Sequence, residues 1–155
     1  MQQKYNIIIA DTSCFILLDK IDELNILEKV FHLVTTTEDI AAEFRKELPD
    51  WITIRTVSNK DYQRLLCLEV DNGEASAIAL SVEDGNALLI IDDNKARKLA
   101  AKLQLAYTGT LGVILRAKQM GIITEIKPII KKIQATNFRF SEKTYKEIMF
   151  IANEQ

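Results

Sequence analysis

The sequence predicts an α/β fold: a three-layer α/β/α arrangement with a central, mostly parallel sheet and extra helices at the C-terminal end. Two observations point to it. The runs Ile7-Ile8-Ile9-Ala10 and Ala87-Leu88-Leu89-Ile90-Ile91 are apolar without polar alternation, as strands buried on both faces are. Between and after them, segments of helical periodicity alternate with short strand-like ones, a pattern that calls for right-handed crossovers between parallel strands.

In order along the chain, the first strand leads out of Tyr5 and ends at Asp11. Thr12 and Ser13 supply hydroxyls for a helix start, and Phe15, Ile16, Leu17, Leu18 and Ile21 follow at helical spacing. A short helix from about Glu23 to Val30 precedes a strand candidate at Phe31 to Thr35. Thr37 with Asp39 opens a helix with an apolar stripe of Ile40, Ala41 and Phe44, which Pro49 is expected to end. Trp51 to Val57 alternates as a strand, and Ser58 or Asn59 caps a helix reaching about Val70. Asp71-Asn72-Gly73 reads as a turn. The alanine-rich segment Glu74 to Val82 is helical and is stopped by Asp84-Gly85-Asn86. After the strand ending in Asp92-Asp93 come a helix from Asn94 to Leu103, a short strand from Leu105 to Tyr107, a turn at Thr108-Gly109-Thr110 and a helix from Leu111 to Met120. Two amphipathic helices, from about Glu125 and from Ser141, close the chain.

A chain of 155 residues suits one domain, taken as 1–155 with a core of about 5–123 and a helical extension of about 124–155. Its 48% apolar and 27% charged residues are those of a globular protein. Twenty basic residues against 22 acidic ones exclude the large positive excess of a bulk nucleic-acid binder. Cys14 and Cys67 have no metal spacing and are expected to be reduced core residues. The polar start, Met1 to Asn6, and the brief apolar run after it match neither a signal peptide nor a membrane span, so a cytoplasmic location is expected.

The chemistry is concentrated in acids. Open α/β sheets bind ligands at the carboxyl ends of their strands, and two of the most apolar strands end there in aspartate: Asp11, and Asp92 with Asp93. An aspartate after a strand can simply cap the next helix. Several carboxylates at one edge, however, repel each other unless a cation offsets them. Oxygen ligands select hard ions, hence Mg²⁺ or Mn²⁺, and the single histidine, His32, cannot build a zinc site. Such ions activate water and stabilise the charge of a phosphate displacement, which needs no covalent nucleophile. No nucleophile elbow, Walker loop or GxGxxG turn is present.

Taken together, Asp11-Thr12-Ser13 after the first strand, Glu43 in Ala-Ala-Glu-Phe, Gly73-Glu74-Ala-Ser-Ala-Ile-Ala-Leu80, Asp92-Asp93-Asn-Lys-Ala-Arg97 and Thr108-Gly-Thr-Leu-Gly112 resemble a PIN domain of the prokaryotic, VapC-like branch. The resemblance runs from about Ile7 to Ile123. It implies a Mg²⁺- or Mn²⁺-dependent endoribonuclease acting on RNA, many relatives being toxins of toxin–antitoxin modules; an RNA substrate, a cognate antitoxin and a homodimer are the partners expected. It matches Asp11, Glu43, Glu74 and Asp93 to the catalytic, metal-binding acids, with Asp92 beside the last. Glu74 stands where many relatives have aspartate.

Thr12, Ser13, Lys95, Arg97 and Thr110 are the candidates for binding the phosphate backbone, the hydroxyls being equally apt as helix caps and the cations as a solvated helix face. A different class of function, a non-catalytic PIN-fold module holding nucleic acid or a basic protein segment in the acidic pocket, is the alternative reading. The apolar C-terminal helices could cover the sheet, form a dimer interface or receive an antitoxin.

Overall fold

In a computed structural model the structure describes residues 4–155, so Met1 to Gln3 of the polar start lie outside the described residues. Five strands, β1 (Ile7–Ala10), β2 (Val34–Thr37), β3 (Ile52–Arg55), β4 (Ala87–Ile90) and β5 (Ala106–Thr108), form one all-parallel sheet in the order β3-β2-β1-β4-β5. Nine helices among the described residues flank it: α1 (Thr12–Lys20), α2 (Asn25–Phe31), α3 (Glu38–Phe44), α4 (Lys60–Leu66), α5 (Asn72–Asp84), α6 (Asn94–Lys102), α7 (Thr110–Gln119), α8 (Lys127–Gln134) and α9 (Glu142–Ile151). The layers are α/β/α.

β1 is the central strand, paired with β2 on one side and β4 on the other: Ile9 and Ala10 are wholly excluded from solvent, as are Leu89 and Ile90 beside them on β4. The register Ala10↔Ile90 and Ile90↔Thr108 brings the ends of β1, β4 and β5 level, so α1, α6 and α7 all begin at one edge of the sheet. The long α5 packs across β2, β1 and β4. Its centre, Ala75 to Leu80, is buried without exception, which explains the run of small side chains: they let helix and sheet approach closely.

Several boundaries differ from expectation for local reasons. The strand anticipated at Phe31 to Thr35 is Val34–Thr37, because Phe31 stays in α2 to reach the core and exposed His32 turns the chain at φ 67. The β-branched Thr35, Thr36 and Thr37, all buried, then extend the sheet. α3 ends at Phe44, well before Pro49, where Arg45 adopts φ 60. The third strand is shorter than Trp51 to Val57, and α4 stops at Leu66 instead of about Val70. Asp71-Asn72-Gly73 is no separate turn: Asp71 caps α5, whose first turn includes Asn72 and Gly73. Cys67 is exposed, in contrast to the core position expected, while Cys14 is buried as anticipated.

The C-terminal helices belong to the same core. α8 buries Ile129, Ile130 and Ile133 against it, and α9 adds Ile148 and Met149 while packing on α7. Glu154 fastens the end. Its carboxylate accepts from Lys118 Nζ (2.7 Å) and from the Ile126 (2.8 Å) and Lys127 (3.1 Å) N–H groups at the start of α8. Burial disfavours the charged form there, but these hydrogen bonds and the Lys118 charge outweigh it and hold the carboxyl below its ordinary value. Glu154→Ala is expected to lower stability by about 1–3 kcal/mol, since it strands two backbone donors and leaves the Lys118 ammonium only its bond to Ala152 O. Hydrogen exchange should show the loss concentrated in α8 and α9.

Candidate active site at the carboxyl edge of the sheet

Asp11 follows β1 at the point where the chain order reverses, with β2 on one side and β4 on the other, the position at which open α/β sheets form their crevice. It is 4% exposed, and its side chain makes no capping bond to α1. Burial, then the nearby carboxylates of Asp71, Glu43 and Asp92, push its pKa up to about 7 despite a hydrogen bond from the Thr12 backbone. Thr12, immediately after it, is also buried, and its Oγ1 has no hydrogen-bond partner.

The other acids come from three helices whose starts are pinned by short polar contacts. Thr37 Oγ1 accepts from Ile40 N (3.2 Å) to begin α3, and it also shares a hydrogen bond with Ser76 Oγ (2.6 Å) on α5. Ser76 Oγ in turn donates to Gly73 O (2.7 Å), so α3 and the first turn of α5 are held together. Glu43 on α3 lies directly over Gly73. A Cβ at position 73 would sit 2.0 Å from Glu43 Oε1, so glycine there is what leaves room for the carboxylate. Glu43 is largely exposed, and partial desolvation with the charges of Asp71 and Asp39 raises its pKa.

Asp71 and Glu74 form a reciprocal cap at the start of α5: Asp71 Oδ1 accepts from Glu74 N (2.8 Å) and Glu74 Oε1 from Asp71 N (3.2 Å). Burial, Asp71 and Asp11 raise the Glu74 pKa to about 7 against that backbone hydrogen bond, with Asp93 adding further. Asp71 therefore bears on all three raised acids. The sequence reading missed it by treating it as a turn residue; the Asp-x-x-Glu spacing of a capping box was the signal available.

Asp92 and Asp93 border the cluster from β4. Asp92 accepts twice from Thr110, Oδ1 from the amide (2.8 Å) and Oδ2 from the hydroxyl (2.6 Å), which ties it to the start of α7. Asp93 caps α6 by accepting from Ala96 N (3.0 Å). Thr110 thus acts on an acid of the edge. Thr110→Val should cost about 1.5–3 kcal/mol in urea unfolding at neutral pH, because it removes a donor to a charged, half-buried acceptor.

The candidate cations part company. Arg97 lies over the Tyr107 ring, 5.1 Å from its centroid, and lines the cleft beside Asp92; Lys95 faces a separate depression with Leu68, Lys98 and Lys102. Ser13 is exposed at the start of α1. Cys14 is no nucleophile: burial, with the charge of Asp92, pushes its thiol far up and keeps it protonated.

All the charges acting on Asp11, Glu43 and Glu74 are themselves carboxylates. Oxygen donors of this kind, with an unpartnered hydroxyl on Thr12, suit a hard divalent cation. Among the described residues, no three His, Cys, Asp or Glu side chains are drawn together tightly enough to form a finished metal centre.

The acidic crevice at the end of the central strand lies where open α/β sheets bind their ligands, and its donors are of the kind that hard cations take. A family model described as a PIN domain matches residues 7–154, and the chain belongs to that family. PIN domains are generally nucleases that use divalent metal ions. No curated protein matches the chain. No helix among the described residues is long and apolar enough to cross a membrane.

Proposed function

We propose that the protein is a divalent-metal-dependent endoribonuclease whose centre is made by Asp11, Glu43, Glu74 and Asp93, with Asp92 at its border. The observation that supports this best is Asp11, buried where the strand order reverses and pushed up to about 7 by burial and three carboxylates. Mg²⁺ or Mn²⁺ bound there would supply a water of lowered pKa and neutralise charge on the scissile phosphate. Asp11 and Glu74 are the acids with most to gain from a cation, since burial and like charges already disfavour their ionised forms. Arg97, which lies over Tyr107 and lines the cleft beside Asp92, would take a phosphate oxygen. A role as the toxin of a toxin–antitoxin module rests on the likeness to the VapC-like branch in Asp92-Asp93 to Arg97 and Thr108 to Gly112.

One observation favours the non-catalytic module: Asp92, Asp93 and Glu74 already accept hydrogen bonds from Thr110, Ala96 and Asp71. Incubating a pool of structured and single-stranded RNA with the protein in Mg²⁺, Mn²⁺ or EDTA, beside Asp11→Asn, separates the two. Metal-dependent cuts absent from the variant are expected. A folded protein that leaves the pool intact in both metals would sink the nuclease reading.

A further inference from the structure

Next to the acidic edge lies a cleft of about 610 Å³ whose far wall is supplied by the C-terminal segment. One side is Asp92, Arg97 and Gly109; the other is Phe138, Arg139 and Phe140, in the loop between α8 and α9. The loop is a built feature. Thr136 Oγ1 donates to Ile133 O (2.6 Å) and accepts from Phe138 N (3.1 Å), which folds the segment back on the end of α8. The two phenylalanine rings lean together, 6.2 Å between centroids at 47°, and both are only partly buried. The Arg139 guanidinium is exposed and anchored by donation to Thr136 O (2.7 Å), which leaves most of its N–H groups unspent. Arg139 and Phe138 also border a second depression that reaches Ser13, two residues from Asp11.

Partly exposed rings beside two guanidiniums form the combination by which single-stranded nucleic acid is gripped: bases stack on rings, and phosphates meet cations. Glycine at 109 lets the Asp92 carboxylate sit against the turn on the opposite side, since a Cβ there would stand 2.8 Å from Asp92 Oδ1. The cleft falls within the range of nucleotide-sized ligand pockets. We propose that Phe138-Arg139-Phe140 is a substrate-gripping loop that stacks an unpaired base of RNA and holds its phosphate while the adjoining phosphodiester lies at the acidic edge. This deepens the nuclease reading and rests on it for the identity of the substrate.

The test uses the full chain in Mg²⁺ and a fluorescently labelled, hydrolysis-resistant phosphorothioate oligouridine, with an RNA duplex for comparison. Phe140→Leu keeps the apolar packing but removes the ring face, and should weaken single-strand binding by about 5- to 100-fold while leaving duplex binding unchanged. Arg139→Gln should weaken both and reduce the slope of log affinity against log salt by about 0.7 for the single strand. Thermal unfolding of each variant shows that the fold is kept. Cleavage of ordinary RNA by the wild type is read in parallel. Wild-type single-strand affinity in both variants overturns the loop proposal even if cleavage is robust, and so does an equal loss on duplex for Phe140→Leu. Ring-dependent binding without cleavage upholds the loop and refutes the nuclease instead.

Discussion

Asp11→Asn is expected to make the metal-free protein more stable at pH 8 while removing its response to divalent cations and its cleavage activity. The folded-state pKa of Asp11, about 7, lies above its ordinary 3.8, so the native chain binds that proton more tightly than the unfolded one. The stability this group contributes is complete below about pH 4 and is lost as pH rises through 7. At pH 8 the full penalty is present, on the order of 3–4 kcal/mol, and asparagine escapes it. Glu74, also raised to about 7, adds a second decline over the same interval. The wild type should therefore melt at falling temperature from pH 5 to pH 8 in EDTA, and Mg²⁺ should restore most at the alkaline end. Cleavage should drop by at least about 100-fold in the variant. Calorimetric scans across pH with and without Mg²⁺ check the first part; a variant no more stable than wild type at pH 8 would contradict the electrostatic account of the edge.

Gly73→Ala should separate fold from activity. Glycine 73 lies in the first turn of α5, where alanine is the better helix former by up to about 1 kcal/mol. The nearest atoms to the added methyl are those at the end of the Glu43 side chain, which can swing aside. Melting temperature should thus hold or rise slightly while metal-dependent cleavage falls by about 10- to 100-fold, as when a ligand loses its orienting support. Pairing the variant with Glu43→Gln checks the cause: if the methyl acts by displacing Glu43, the double variant should be no worse than Glu43→Gln alone.

The sheet was legible because its strands are extreme. Ile8 to Ala10 and Ala87 to Ile90 are buried on both faces, and such strands show no competing period. Asp11 and Asp92-Asp93 were legible for the same reason, as the first polar residues after them. What stayed hidden depended on pairing in space. Nothing local told that Gly73 makes room for Glu43, and while the Asp71-x-x-Glu74 spacing marks a cap, it does not tell that Asp71 lies near three acids. Lys95 and Arg97, two residues apart, could not be assigned to opposite sides of a helix by charge counting, and only the packing of Tyr107 and Leu68 shows which way each points. Phe138 to Phe140 gave no periodic signal at all, since their cleft exists only once α8 and α9 have docked.

The level strand ends bring the amino termini of α1, α6 and α7 to the same rim, with that of α5 opening beside them. Each terminus presents the positive pole of its helix, equivalent to roughly half an elementary charge. Against the clustered carboxylates this field is masked, and the rim repels a polyanion. A bound divalent cation would offset part of the carboxylate charge, and the fixed dipoles would then weigh more heavily against what remains. Metal loading would thereby lower the barrier that the edge presents to any anionic ligand, with no moving part needed to do so.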